Sequence, residues 1–92
     1  MFFVYMLANK PYGTIYIGFT KDLASRVESH KYKVVEGFTK TYGIYQRVWY
    51  QMHEDLMAAL SREKQLKKWN RDWKINLIQL KNPDWRDLSH EI

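Results

Sequence analysis

One carboxylate stands in the middle of an otherwise apolar helical stripe. At the 3.6-residue period of a helix, the residues that follow position 55 place their apolar side chains on one face, and Glu63 falls near its centre. The apolar members of this face are Leu56, Ala59, Leu60 and Leu66. A carboxylate in such a position costs free energy unless a cation meets it.

Two kinds of cation satisfy that condition, and they imply different roles. Lys67 lies one helical turn beyond Glu63, in the orientation that favours an exposed ion pair. Alternatively, Glu63 is a hard oxygen ligand for magnesium or manganese, which often bind through one or two carboxylates, water and substrate phosphate. The sequence therefore leaves open a surface ion pair and a metal site for phosphoryl transfer.

Two tyrosines near the amino terminus are also placed to act together. Symmetric pairing of two short strands about their loop sets Leu7 opposite Thr14, and Tyr5 directly across from Tyr16. Gly18 falls on the same sheet face, where a glycine marks close approach by a ligand or another backbone. Tyrosine also packs well on half-buried sheets, so a purely structural role for both tyrosines stays open.

An arginine and a histidine border the apolar stripe of a first helix. Leu23 and Val27 define the stripe, His30 falls on it at helical spacing, and Arg26 lies at its edge. Each has an ordinary structural interpretation, the arginine extending to solvent and the histidine being a satisfied core residue. If the helices pack on the tyrosine face, these groups and the glutamate converge on one concavity that resembles a phosphoryl-transfer site.

A small set of elements is enough to position these side chains. Pro11 and Gly13 suit a turn with proline at its second position, and Asn82-Pro83 stops the last helix. Strands are expected at residues 2–7, 14–18 and 47–52, helices from residue 20 or 22 to 30, from 54 or 55 to 69 and from 71 to 79, and loop over 31–43. The chain contains no internal repeat or linker, so a single domain is expected over residues 1–92.

The charge balance favours an acidic partner. Fifteen basic against ten acidic residues give a formal net charge of +5, with an isoelectric point near 9.5. Nucleic acid is the leading candidate, because phosphate contacts require dispersed Lys and Arg. A solvated helix face is the alternative interpretation of the basic group near the glutamate. That group comprises Lys64, Lys67, Lys68, Arg71 and Lys74.

Other sites and locations are limited by what the sequence contains. The chain has no cysteine, which excludes a disulfide framework and a thiolate metal site within it. Its apolar amino terminus lacks the features of a secretion signal, and no run reaches the length of about 18 apolar residues that crosses a bilayer. The default expectation is a cytoplasmic protein.

Several of these segments resemble the GIY-YIG endonuclease domain family. Phe3-Val4-Tyr5 stands where the family has its first triplet, and Tyr16-Ile17-Gly18 is its second triplet intact. The segment from Gly18 to Arg26, followed by His30, is similar to the family's strand-to-helix segment. Residues 61–69, then Arg71, Lys74, Leu77-Ile78 and Asn82-Pro83-Asp84-Trp85, are similar to the small stand-alone bacterial subfamily.

The resemblance implies an α+β fold and a one-ion nuclease. The expected architecture is a three-stranded antiparallel sheet flanked by helices, in the order β-β-α-β-α-α. The expected cofactor is one divalent metal ion, magnesium or manganese. The two departures in the first triplet, Phe3 for glycine and Val4 for isoleucine, fall at strand positions where only the tyrosine performs chemistry.

The resemblance also implies a role for each candidate residue. Glu63 would ligate the metal, and Arg26 would neutralise the charge that grows on the scissile phosphate. Tyr5 would be the general base for the attacking water, with Tyr16 and His30 polarising or orienting it. One further candidate, from the position of a late asparagine near the site in some members, is Asn82.

Two functions follow. The first is a metal-dependent endonuclease that cuts DNA rather than RNA, at branched, damaged or single-stranded structures such as those met in repair. The basic group would supply nonspecific attraction to the backbone, and a protein partner would supply specificity because no accessory domain is present. The second is a catalytically silent module that keeps the fold and binds nucleic acid or protein.

Overall fold

The computed structural model describes residues 1–21 and 46–88, and all structural statements refer to these ranges. The elements in them are β1 (Phe2–Ala8), β2 (Ile15–Thr20), β3 (Gln46–His53), α1 (Leu56–Lys68) and α2 (Arg71–Lys81). The three strands form one antiparallel sheet in the order β2-β1-β3. This confirms the α+β class and the three-stranded antiparallel sheet with helices. The predicted first helix and the predicted loop over 31–43 lie outside the described residues.

The central strand β1 is buried on both faces, and its alternating side chains divide the core in two. Val4, Met6 and Ala8 point to the face on which Ala59 and Leu66 of α1 and Ile78 of α2 pack. The opposite face carries a smaller buried cluster made of Phe3, Tyr5 and Leu7, with Tyr16 and Tyr50 against it. β1 is therefore the central strand, covered on both faces, and β2 and β3 are hydrogen-bonded to its two sides.

Both helices begin at a side-chain cap. Asp55 accepts a hydrogen bond from the backbone N–H of Ala58 at 2.9 Å, and Asn70 accepts one from Trp73 at 2.9 Å. The predicted helices from 54 or 55 to 69 and from 71 to 79 are therefore confirmed to within two residues. In the described ranges, neither helix has the length and apolar character required to cross a membrane.

The β1–β2 hairpin has the predicted turn but a different register. Gly13 donates its N–H to the carbonyl of Lys10 at 2.9 Å, which places proline second in the turn as expected, while Tyr12 takes a positive φ of 58°. Thr14 donates its N–H to Asn9 Oδ1 at 3.0 Å. This bond keeps the threonine in the loop, so it does not pair with β1.

The predicted direct pairing of the two tyrosines is therefore wrong by two residues. Leu7 lies opposite Tyr16 instead of Thr14, and Tyr5 lies opposite Gly18. Because side chains alternate with period two, a shift of two leaves each residue on its predicted face. Tyr5 and Tyr16 thus remain on one face, as diagonal neighbours.

Gly18 makes room for the ring of Tyr5. A Cβ atom at position 18 would lie 2.5 Å from Cζ of Tyr5 and closer still to its hydroxyl oxygen. The close approach that was predicted at this glycine is therefore made by a side chain of the central strand. Any residue larger than glycine would have to displace a fully buried ring.

The C-terminal segment is fastened to the outer side of β3 by one buried asparagine. Asn82 donates its side-chain amide to the carbonyls of Val48 at 3.0 Å and Arg86 at 2.9 Å, and its Oδ1 accepts the N–H of Arg86 at 3.0 Å. Leu88 then donates its N–H to the carbonyl of Arg47 at 2.8 Å. Asn82 also terminates α2, since its N–H is donated to Ile78 at 2.8 Å.

Replacement of Gly18 by alanine is expected to destabilise the protein by about 1–3 kcal/mol, because the added Cβ overpacks the Tyr5 contact. The direction of this change in the free energy of unfolding is informative, because replacing a strand glycine by alanine otherwise stabilises a protein by roughly 0.5–1 kcal/mol. Urea unfolding measures the change. The same substitution made in a Tyr5→Leu background should cost much less, and an equal cost in both backgrounds would rule out the ring contact as its cause.

Asn82→Ala is expected to lower the free energy of unfolding by about 2–3 kcal/mol, because it removes a buried hydrogen bond to the carbonyl of Val48 and two part-buried ones to the backbone of Arg86. Asn76→Ala is the matched control: this asparagine is exposed on the same helix, and its replacement should change stability by no more than about 0.5 kcal/mol. Equal denaturation midpoints for the two variants would contradict the anchoring role.

Candidate active site

The two tyrosines form a pair on the sheet face opposite α1 and α2. Their ring centroids are 6.4 Å apart and the ring planes are tilted by 40°. Tyr5 is fully buried, whereas Tyr16 is only partly covered. The pair therefore presents one phenol towards the surface with the other beneath it.

The surface beside Tyr16 is a groove along β2, which is an outer strand of the described sheet. It has a volume of about 330 Å³ and is lined by Ile15, Tyr16, Ile17, Lys67 and Lys74. The strand contributes the apolar wall and the tyrosine, while each helix contributes one lysine. Such a surface combines an aromatic ring with two positive charges, a combination that suits a polyanion with planar groups.

Glu63 belongs to α1, which packs on the sheet face opposite the tyrosines, so the packing that was expected to bring the glutamate over the tyrosine face is not the one observed for this helix. Its link to the groove is Lys67. Its Oε2 lies 3.4 Å from Nζ of Lys67, and the two side chains are 17% and 55% exposed, respectively. The carboxylate is therefore held near the surface of the helix stripe, partly covered, by the ion pair that the sequence offered as the first alternative. An exposed pair of this kind contributes only about 0.3–0.5 kcal/mol to stability, so a stronger cation can displace the lysine at little cost.

The donor set around Glu63 suits a loosely held hard ion. Within residues 1–21 and 46–88, no three His, Cys, Asp or Glu side chains are grouped so that they could hold a metal. A magnesium or manganese ion at Glu63 would draw on this one carboxylate, with water and substrate phosphate completing its shell, which is a common arrangement for magnesium. A closed structural site made from several protein ligands has no support in this part of the chain.

Two of the predicted site residues cannot be placed. Arg26 and His30 lie outside the described residues. Their proximity to the tyrosine pair and their roles stay predictions.

Asn82 is not brought to the tyrosine pair. It bonds to Val48 of β3, whereas Tyr16 is on β2, and β1 separates these strands. At the usual strand spacing the two outer strands lie about 10 Å apart. The contacts of this asparagine are those of an anchor for the C-terminal segment, and its catalytic role stays a prediction.

The predicted basic group separates into residues with different surroundings. Lys64 and Lys68 are exposed on α1, and Lys67 and Lys74 line the groove. Arg71 instead faces the hairpin loop, where it donates to the carbonyl of Tyr12 and, at 2.9 Å, to that of Gly13. Only part of the group therefore faces the surface at which a substrate would lie.

The loop contact of Arg71 is part of a larger brace. Tyr12 packs its ring against Trp85 with 5.1 Å between centroids and hydrogen-bonds to Gln79 through its hydroxyl. Together with Arg71, these contacts compensate the unfavourable positive φ of the tyrosine, which costs roughly 1–2 kcal/mol. The brace ties the start of β2, and hence the groove, to α2.

Sequence reasoning missed one buried cation beside the tyrosine face. Arg47 is fully buried in β3, donates from Nη2 to the carbonyl of Leu88 at 2.9 Å, and holds its guanidinium 5.3 Å from the ring centroid of Tyr50. The signal in the sequence is an arginine at the first position of the strand predicted over residues 47–52.

Comparisons with known proteins identify the family and the fold. Residues 1–76 match the family model described as the GIY-YIG catalytic domain. UPF0213 proteins of Staphylococcus aureus strains Mu3 and N315 are each 34% identical over 77 residues, a match that covers 84% of this chain and 93% of each relative. The solution NMR structure of a UPF0213 protein from Bacillus halodurans has a TM-score of 0.58 at 25% identity, and the match covers 95% of this chain and 93% of that one. With the tyrosine triplets, the three-stranded sheet and a family match over most of its length, the chain belongs to the GIY-YIG family.

Proposed function

We propose that this protein is a metal-dependent endonuclease that hydrolyses phosphodiester bonds in DNA. The observation that carries the proposal is the partly covered carboxylate of Glu63, which is paired with Lys67; this lysine lines a groove together with Tyr16 and Lys74. Nuclease families place these same groups together, an oxygen ligand for a divalent ion beside cations that attract phosphate.

Each residue then has a physical task. Glu63 holds the ion, and a divalent ion bound there supplies Lewis-acid stabilisation of the charge on the phosphate. Lys67 and Lys74 attract the nucleic-acid backbone into the groove. Arg26 stabilises the negative charge that develops on the scissile phosphate, and His30 orients the attacking water.

The burial of the two phenols distinguishes their tasks. Tyr16 lines the groove, so its hydroxyl is the better placed of the two to contact the attacking water. Tyr5 is fully buried against Gly18 and supports Tyr16 from below. We therefore assign the direct contact to Tyr16 and a supporting role to Tyr5, the reverse of the emphasis that the family resemblance implies.

A silent binding module is the second candidate function. The ion pair favours it, because Lys67 already neutralises Glu63 and a protein that binds no metal would keep such a pair.

For the endonuclease, we further propose that the substrate is DNA rather than RNA, in a branched or damaged structure, and that the protein acts in repair. We also propose a cytoplasmic location and a partner protein that supplies specificity.

Glu63→Gln is expected to reduce cleavage at least about 100-fold, because the amide keeps the shape of the side chain and removes the charge that holds the ion. The assay uses single-stranded, nicked, flap and junction DNA with magnesium or manganese, and Arg26→Ala is tested alongside. Glu54→Gln is the matched control, since Glu54 is exposed just before α1, and it should cut like the parent. Binding without cutting by the parent protein, unchanged by chelator, would favour the silent module.

Tyr16→Phe is expected to lower the cleavage rate by about 10²–10⁴-fold, the usual contribution of a positioned proton-transfer group. Tyr5→Phe should have a clearly smaller effect because its hydroxyl points to Gly18 beneath the groove. Single-turnover rates at saturating metal measure both, with thermal unfolding to verify that each variant is folded. The opposite ranking would return the role of general base to Tyr5.

A further inference from the structure

An apolar cavity lies on the outer surface of α2. It has a volume of about 230 Å³, and no charged side chain is among the described residues that line it. They are Trp69, Trp73, Asn76, Leu77 and Leu80. Trp73 is 55% exposed and Leu80 is 81% exposed. Because monomeric proteins seldom expose large apolar side chains side by side, this surface is typical of a contact with a partner.

The exposed residues form one stripe along the helix. Trp73 and Leu80 are seven residues apart, which is two helical turns, and Leu77 lies between them on the same side. Ile78, the buried residue of α2, points to the opposite side, where it packs in the core. The stripe is therefore a second packing face of α2, directed away from the sheet.

Contacts with α1 order the tryptophan end of the stripe. The ring of Trp73 meets that of Trp69 edge-on, with 5.7 Å between centroids and 90° between planes. The guanidinium of Arg62 lies 5.3 Å from the ring centroid of Trp69, and it donates to Gln51 at 3.2 Å and to Gln65 at 2.7 Å. A side chain that is ordered before binding loses less conformational entropy when a partner covers it.

The stripe is symmetric about its own midpoint. That midpoint falls between Asn76 and Leu77. Trp73 and Leu80 are equally distant from it, on either side. In an antiparallel pair of α2 helices whose two-fold axis passes through this point, Trp73 covers Leu80 of the partner subunit. The order of the residues is thus self-complementary, as a symmetric interface between identical chains requires.

The polar member of the stripe also favours a second copy of this chain as its occupant. Asn76 is exposed, and in the antiparallel pair it faces its own counterpart next to the axis. A carboxamide carries both donors and an acceptor, so the two Asn76 side chains can hydrogen-bond to each other. A partner with a purely apolar surface would bury this amide without a hydrogen bond, which is costly.

Charge acts weakly against this pairing. The formal net charge of the chain is +5, so two copies repel each other. Close to the stripe the signs are mixed, with Asp72 on one flank of α2 and Lys81 on the other. Lys74 is on the same flank as Lys81 and lines the groove along β2. The apolar contact therefore has to outweigh a repulsion that dissolved salt screens.

We propose that two copies of this chain form a weak antiparallel dimer through α2. From Trp73 to Leu80 the stripe is about 10 Å long, at about 1.5 Å per residue. A contact of that length buries less than the roughly 800 Å² per partner that stable interfaces bury. The dissociation constant is therefore expected between about 1 µM and 1 mM.

Sedimentation equilibrium of the parent protein, without metal or nucleic acid, tests the proposal. Between about 1 µM and 1 mM protein, the average mass should rise from that of one chain, 11.2 kDa, towards that of two. The rise should be steeper at higher sodium chloride concentration. One chain throughout this range, a mass above that of two chains, or association that salt weakens overturns the proposal. None of these results depends on nuclease activity.

Leu80→Glu is expected to weaken the dimer at least about tenfold, because it places a carboxylate in both halves of the apolar contact. Met57→Glu is the matched control: Met57 is 65% exposed on α1 and does not line this cavity. The control should associate like the parent protein. Unchanged association of the Leu80→Glu variant contradicts the assignment.

A mixing experiment tests the two-fold axis. The Asn76→Asp and Asn76→Lys variants should each self-associate at least about tenfold more weakly than the parent protein, because like charges meet at the axis. An equimolar mixture of the two should recover association, since opposite charges then meet. A mixture that associates no better than either variant alone rules out this register.

Single-stranded nucleic acid is the alternative occupant, because a base stacks readily on an exposed tryptophan. It suits the stripe less well, since the residues that line the cavity carry no charge for a phosphate. NMR of the Trp73 indole N–H, assigned from a Trp73→Phe variant, distinguishes the two. In a dimer, dilution of the protein alone shifts this signal. A signal that dilution leaves in place and an oligonucleotide shifts overturns the dimer in favour of nucleic acid.

Discussion

The close approach of the Tyr5 ring to the backbone at Gly18 is the constraint on which the geometry of the candidate site depends. Tyr5 belongs to the central strand, and its side chain is fully buried in the smaller of the two core clusters. The missing side chain at position 18 lets the ring lie over β2. There it lies next to Tyr16, on an outer strand of the described sheet. The space left by the missing side chain of Gly18 thus allows the buried Tyr5 ring to contact Tyr16, which lines the groove.

The periodic features of the fold could be predicted from the sequence, because they depend on neighbours that are close in the chain. Alternation predicts the faces of β1 and β2, and helical spacing with an Asp55 cap predicts α1. The hairpin register could not be predicted, because it depends on the side-chain bond from Asn9 to Thr14 and on an unusual positive φ at Tyr12. Neither leaves a distinct signal in a single sequence.

The candidate site was predictable to a similar extent. The partly covered position of Glu63 follows from helical period alone, and the structure realises its ion pair with Lys67. Asn82 and Arg71 show the limit, since their hydrogen bonds reach across 34 and 58 positions of the chain. The family resemblance implied a site role for Asn82, and membership of the basic group implied contact with the nucleic-acid backbone for Arg71. The structure shows an anchor on β3 and a brace on the hairpin loop.

The positive charge of the chain is consequently divided among several tasks. Arg47 and Arg71 donate to backbone carbonyls, which uses charge to hold the fold. Among residues 1–21 and 46–88, the cations that line cavities fall at the two edges of the sheet, Lys67 and Lys74 beside β2, and Lys81 and Arg86 beside β3. Since the edges are about 10 Å apart, a polyanion that followed the surface could meet both. Net charge is therefore a poor measure of how strongly any one surface attracts phosphate.

The ion pair of Glu63 and Lys67 bears most directly on the proposed function. At 3.4 Å and with the lysine more than half exposed, it is weak, worth about 0.3–0.5 kcal/mol. Under the proposed activity, Glu63 would hold the divalent ion in place of its bond to Lys67. Lys67 already lines the groove, so its charge would then be available to a substrate phosphate. A weak, half-exposed ion pair at Glu63 is therefore compatible with metal binding by the same carboxylate.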